Sequence, residues 1–110
     1  MAARAVGRRH KYGARPTTVD GIRFASQKEA GRYRELRLLE KAGEIMALEL
    51  QPSFDLTVRG VRIARYVADF QYYRPDGELV TEDVKGVRTP VYRLKKKHVE
   101  AQYGIRVVEV

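Results

Sequence analysis

The chain has 110 residues, enough for one small domain with a single modest core. It has no cysteine and two histidines, which excludes disulfides and thiolate sites and leaves carboxylates to hold any metal. The formal net charge is +8 and no apolar run approaches the ~20 residues of a membrane span. The expectation is therefore a cytoplasmic protein with a polyanionic partner and no membrane.

Residues 1–16 are basic, with small residues and no apolar period, and read as a flexible basic arm ahead of a single domain at 17–110. Thr17 to Phe24 reads as a small hairpin turning at Asp20-Gly21. Ser26 to Ala42 reads as a helix, with Ser26 as N-cap, Lys41 in the last turn and Gly43 as the stop. Ile45 to Leu50 and Phe54 to Val58 read as strand, interrupted by Pro52. After a turn at Arg59-Gly60, Val61 to Tyr73 reads as one long strand or as a strand preceded by a short one. Leu79 to Lys85 is its hairpin partner. Thr89 caps a second helix with Pro90 at its first position, running to about Tyr103 and stopping at Gly104. Ile105 to Val110 is a final apolar strand, expected beside the central hairpin. The order implies an α/β layer plan with a mixed central sheet flanked by two helices.

The hairpin carries the chemistry. Arg74-Pro75-Asp76-Gly77 suits a type I turn followed by a left-handed Gly77, which pairs Arg74 with Glu78. Counting outward, Asp69 falls opposite Asp83. A two-residue Asp76-Gly77 loop would set Asp69 against Val84, on the wrong face. Asp83 and Lys85 are two apart on a strand and share a side. Two carboxylates and a lysine converging there can hold a divalent cation against a phosphate. Glu82 points to the opposite face, Pro75-Asp76 occupies the turn, and Asp55 has no second acid at a useful spacing. These three are set aside.

Both helices place polar residues where apolar ones are expected. On the first, Ala30, Tyr33, Leu36 and Leu39 form the inward stripe, and Glu29 falls within it. Ser26-Gln27-Lys28-Glu29 also fits the S-x-x-E capping box, and the two roles are compatible. On the second, Val91, Leu94, His98, Val99 and Ala101 outline the inward arc, with Lys95 and Gln102 near its middle. Arg93, Lys96, Lys97 and Glu100 point outward. Lys95 is read either as snorkelling past the core edge or as a phosphate contact. Gln51, before Pro52, is an accessory candidate, as is Gln102. The basic residues cluster at 1–23 and 85–106, and Arg8, Arg9, Lys11, Arg88, Arg93, Lys95, Lys96 and Lys97 are the expected nucleic-acid contacts.

In these residues the chain resembles the PD-(D/E)xK nuclease superfamily, the restriction-endonuclease-like fold, and within it small phage and prophage domains. The likeness runs through Lys11-Tyr12-Gly13, Phe24 to Leu36, Leu50 to Phe54, Tyr66 to Tyr72, Glu82 to Gly86, Thr89 to Lys97 and Tyr103 to Ile105. It departs from the pattern at Ala68-Asp69, where the family has Pro-Asp. The resemblance implies an αβββαβ core, with Asp69 and Asp83 as metal ligands, Lys85 as the catalytic lysine and Glu29 as the first-helix glutamate. It implies Mg²⁺- or Mn²⁺-dependent hydrolysis of DNA phosphodiesters by a phage or bacterial protein. Junction-resolving, nicking, repair and restriction-like activities are all open. Cutting both strands of a junction would call for a homodimer. Two rival readings keep the fold without the chemistry: a silent nucleic-acid-binding or partner-binding module, and a phage DNA-packaging or assembly protein.

Overall fold

A computed structural model describes residues 15–110. Arg8, Arg9 and Lys11, expected to meet the nucleic-acid backbone, lie outside the described residues, as does nearly all of the expected arm.

The described chain opens with a small hairpin, β1 (Thr17–Val19) and β2 (Ile22–Phe24). Its turn uses Asp20 and Gly21, both at positive φ, and Asp20 accepts a hydrogen bond from the Tyr33 hydroxyl at 3.0 Å. Helix α1 (Gln27–Lys41) follows, with Ser26 as N-cap and Gly43 in the left-handed region after it. Ala30, Tyr33 and Leu36 are buried against Phe24, Ile45, Phe70, Tyr72 and Val80.

Next come β3 (Met46–Leu50), β4 (Ser53–Val58), β5 (Val61–Val67) and β6 (Phe70–Tyr73). Of the two readings of Val61 to Tyr73, the divided one holds: the segment breaks at Ala68-Asp69, and its halves join different sheets. β6 pairs antiparallel with β3, while β5 pairs antiparallel with β4 in a separate two-stranded ribbon. The pairs Leu50↔Phe70 and Ser53↔Val67 belong to one continuous register. β3–β4 and β5–β6 are thus the two legs of one long hairpin that bends where Gln51-Pro52 faces Ala68-Asp69. Gln51 N–H donates to the Asp69 carbonyl (2.9 Å) and Ala68 N–H to the Pro52 carbonyl (3.0 Å). Gln51 has a φ of 53° and Pro52 has no N–H, so neither continues a flat ladder.

β6 and β7 (Leu79–Asp83) form the central hairpin in the register that the turn chemistry predicts, with Phe70↔Glu82 and Tyr73↔Leu79. Arg74 N–H donates to the Glu78 carbonyl at 2.8 Å, and Gly77 sits at φ 92°. Helix α2 (Pro90–Tyr103) is capped by Thr89 and ends at the left-handed Gly104. β8 (Val107–Glu109) pairs parallel with β7. The main sheet is mixed, in the order β3-β6-β7-β8.

The α1 side of the sheet receives Val80 and Glu82. Thr81 and Asp83, with their partners Val107 and Glu109, face α2. On that side a second core joins Leu56, Tyr66, Ala68, Tyr92, Val99 and Val107. The phase of α2 differs from expectation. Val91 and Leu94 are 62% and 68% exposed, Ala101 is exposed too, and Tyr92 and Val99 are the buried residues. The large Tyr92 ring occupies the space that an aliphatic stripe would fill. No helix among the described residues is long and apolar enough to cross a membrane.

Candidate active site

The bend in the long hairpin and the register of the central one determine where the acids stand. Asp69 lies at the bend, and the next step of the β6–β7 register sets it opposite Asp83. Asp69 N–H donates to the Glu82 carbonyl at 3.0 Å, and its carboxylate accepts from the Val84 N–H at 2.6 Å. β7 ends at Asp83 rather than at Lys85, yet the backbone continues to pair. Val110 N–H donates to the Asp83 carbonyl (3.0 Å) and Lys85 N–H to that of Val110 (3.2 Å).

Asp83 is 3% exposed. Its carboxylate accepts from Lys85 Nζ at 2.9 Å and from the Tyr66 hydroxyl in a short hydrogen bond. Lys85 Nζ also lies 3.8 Å from the centroid of the Tyr92 ring, a cation–π contact that holds the ammonium over the α2 side of the sheet. Burial, and then the hydrogen bond to Asp83, push the Tyr66 phenol far above its ordinary value, so it remains a donor.

Asp69 is pushed up to about 8. Burial is the largest cause; the Val84 N–H opposes it, and the Glu29 and Asp83 carboxylates reinforce it. Asp69, crowded by these neighbouring acids, therefore retains its proton near neutral pH.

Glu29 is buried in the first turn of α1, within the inward stripe as expected. Its N–H donates to Ser26 Oγ at 3.1 Å, the serine half of a capping box. Its carboxylate is near enough to raise Asp69 but does not close on the pair. Among the described residues no three His, Asp or Glu side chains converge into a ready-made metal site. The reason is visible in the clefts. One of about 530 Å³ is lined by Ser26, Glu29, Val84, Gly86 and Thr89, among others. Another of about 330 Å³ is lined by Arg65, Tyr66, Asp83, Lys85 and Lys95 among others. The Asp83-Val84-Lys85 segment runs between them. Lys28 Nζ donates to the Lys85 carbonyl at 2.9 Å and ties α1 to this segment.

Other expected residues are distributed less simply. Lys95 borders the Asp83–Lys85 cleft, as its inward placement suggests. Lys96, expected to face solvent, lies 3.8 Å from Glu109, which also takes Arg88 at 2.7 Å. Those ion pairs, with the Tyr92 hydroxyl donating at 2.8 Å, hold Glu109 below the usual carboxylate range. Arg93 and Lys97 are exposed on α2. Gln102 is not near the sheet's centre. It is exposed, accepting from Thr57 N–H (2.8 Å) and donating to Thr57 Oγ1 (2.9 Å). Gln51 reaches Asp69 through its backbone, and its side chain is exposed.

Sequence reasoning misses Tyr66 and Tyr92 as neighbours of the acid–lysine pair. Tyr66 lies on β5, across the bend from Asp69, so spacing along a single strand gives no hint of its contact with Asp83.

Comparisons with curated proteins and with solved structures each found no match. A family model described as "Protein of unknown function (DUF1064)" matches residues 9–108, nearly the whole chain, and the chain belongs to that family.

Proposed function

We propose that this chain is a divalent-metal-dependent DNA endonuclease built on a restriction-endonuclease-like core. The observation that carries the proposal is the ion pair of Asp83 and Lys85 at the end of β7, in a cleft that Lys95 also borders, with Asp69 set beside Asp83 by the hairpin register. Asp83 ends β7 and Lys85 follows it, while Asp69 lies at the bend between β5 and β6.

The donor set suits a hard cation. Its ligands would be carboxylate oxygens, which favour Mg²⁺ or Mn²⁺ over softer metals. The raised Asp69 signals excess negative charge in poorly solvated surroundings, which a cation relieves. Asp69 and Asp83 would hold the ion, with Glu29 as a direct or water-mediated third ligand. Bound there, the ion would polarise the scissile phosphate and lower the pKa of its water. The chain's own residues would do the rest. Tyr66 orients Asp83 through its hydrogen bond. Lys85, held between Asp83 and Tyr92, would direct its ammonium at the water or at the charge developing on the phosphorane oxygens. Lys95 would contact the phosphate backbone.

Asp83→Asn and Lys85→Ala are each expected to lower Mg²⁺-dependent cleavage by at least about 100-fold. Duplex affinity measured in EDTA should change by no more than a few-fold. Linear, single-stranded, branched and four-way-junction DNA form the substrate panel. Wild-type cleavage rates in both variants would sink the assignment. One observation favours the silent nucleic-acid-binding module instead: Lys85 already satisfies Asp83 as a closed ion pair. That reading expects binding of the same substrates and no cleavage by the wild-type protein.

A further inference from the structure

The β4–β5 ribbon stands apart from the main sheet and is held rigid along one leg. Gln102 makes two hydrogen bonds to Thr57, His98 Nε2 donates to the Thr57 carbonyl at 3.0 Å, and the Tyr103 hydroxyl donates to the Asp55 carbonyl at 2.7 Å. Leu56, Ala64 and Tyr66 face α2 and fill the second core. Beyond Thr57 only the last pair, Val58↔Val61, and the Arg59-Gly60 turn remain. Both turn residues have positive φ, the tight two-residue connection that matches ribbon twist. A register shift after Leu56 leaves Ile63 unpaired opposite the ladder and sharpens that twist.

The outward surface combines aliphatic and cationic groups. Val61 and Ile63 are 61% and 63% exposed, and Val58 is about half exposed. Arg59, Arg62 and Arg65 are exposed beside them. The facing acid is Asp55, at 3.6 Å from Arg62 and 3.4 Å from Arg65, which leaves the ribbon net positive. An isolated ribbon with bare aliphatic groups at a basic tip is costly in water, and a second copy would bring arginine against arginine.

We infer that the ribbon is a DNA-binding arm, its tip entering the minor groove of duplex DNA with Arg59 and Arg62 on the flanking phosphates and Val61 and Ile63 as an apolar wedge at a base step. Arginine together with aliphatic wedges is the chemistry by which proteins read and bend that groove. The base of the ribbon is already part of the candidate cleft, since Arg65, Tyr66 and Val67 line it with Asp83 and Lys85. Stepping along the strand from Tyr66 to Val61 covers about 17 Å at ~3.3 Å per residue. That is about 5 base pairs at ~3.4 Å each, half a helical turn from the cleft. The inference rests on the reading of the chain as a DNA-acting protein, and adds to it the form of DNA engaged: continuous duplex beside the scissile position.

The test uses binding rather than cleavage. Full-length wild-type protein, Arg59→Ser/Arg62→Ser and Val61→Ser/Ile63→Ser are titrated in EDTA onto a duplex of about three turns. Affinity is read by polarisation over a salt series and bending by end-to-end energy transfer. All four substituted side chains are exposed, so the variants should fold, and thermal melts check this. The arginine pair should weaken binding at least about tenfold and flatten the salt slope by about 2. The aliphatic pair should leave the slope unchanged and abolish bending. Netropsin, a minor-groove ligand, should compete. Variants that bind and bend like wild type would overturn the inference. So would a wild type that binds no duplex, or variants that change only the oligomeric state in sedimentation. A wild type that binds and bends but never cuts leaves the arm standing and removes the nuclease reading instead.

Discussion

Glu82 and Asp83 are neighbours on β7, face opposite sides of the sheet and are both almost inaccessible. Their surroundings differ in kind. Glu82 is 1% exposed and fully paired: Arg32 donates from Nε (2.8 Å) and Nη2 (2.6 Å), and the Tyr72 hydroxyl adds a third hydrogen bond. The Glu82 hydrogen bonds in turn hold the Arg32 guanidinium firmly protonated, and burial with the Glu82 bond pushes the Tyr72 phenol up to about 12. A bidentate pair of this sort fastens α1 to the sheet. Asp83 instead has one lysine, one phenol and a second acid beside it, and it borders a cleft. Setting Glu82 aside as a ligand is therefore sound on geometric grounds. Arg32→Ala should cost about 3 kcal/mol of stability, because it strands a buried carboxylate. The partial exposure of Arg32 sets this at the low end of the range. Arg32→Met combined with Glu82→Leu should recover most of that loss. Denaturant midpoints at constant slope measure both, and an Arg32→Ala change under about 0.5 kcal/mol would mean water already satisfies Glu82.

The elements separate into those specified by local chemistry and those specified by tertiary fit. The β6–β7 register depends on one loop, and Gly77 at φ 92° is its pivot. Gly77→Ala should cost about 1–2 kcal/mol, and Gly77→Asn less, since asparagine tolerates positive φ better. Equal stability of both variants, measured by thermal melts, would show that the loop does not set the pairing. Such local signals made much of the fold legible: the Ser26 and Thr89 caps, the Gly43 and Gly104 stops, and the register that sets Asp69 against Asp83. The bend at Ala68-Asp69 was not legible. Val61 to Tyr73 reads as one long strand or as a strand preceded by a short one, but neither reading places the break at Ala68-Asp69 or sends the halves to different sheets, a change that depends on Gln51 and Pro52 across the ladder. The phase of α2 was misread for a related reason. Val91 and Leu94 supply a plausible apolar arc, but Tyr92 and Val99 are the residues that pack against Leu56, Tyr66 and Val107. Lys96 then swings to Glu109, a partner 13 residues away that no helical period reveals.

At the scale of the whole molecule, the candidate site links stability to pH and, under the proposed function, would link it to divalent ions. The sign follows from Asp69. Its pKa rises from 3.8 to about 8 on folding, so the folded state holds a proton that the unfolded chain releases. That contribution to stability is complete below about pH 4 and is lost as pH rises through about 8. The metal-free protein should therefore lose stability between pH 5 and pH 8 through Asp69. Every 1 kcal/mol of such loss lowers the melting temperature by about 4–8 °C. Mg²⁺ or Mn²⁺ should act in the opposite sense, because binding requires the deprotonated carboxylates: stabilisation should be strong at pH 8 and small at pH 5. Asp69→Asn keeps an acceptor for the Val84 N–H but cannot titrate. It should flatten the pH dependence, raise the metal-free melting temperature at pH 8 and abolish the response to metal. Melting temperatures of the two proteins, each with Mg²⁺ and with EDTA at both pH values, test the linkage without any substrate. Parallel pH profiles for wild type and Asp69→Asn would show that Asp69 does not carry the proton that folding takes up. A metal response that survives in Asp69→Asn would place the cation elsewhere.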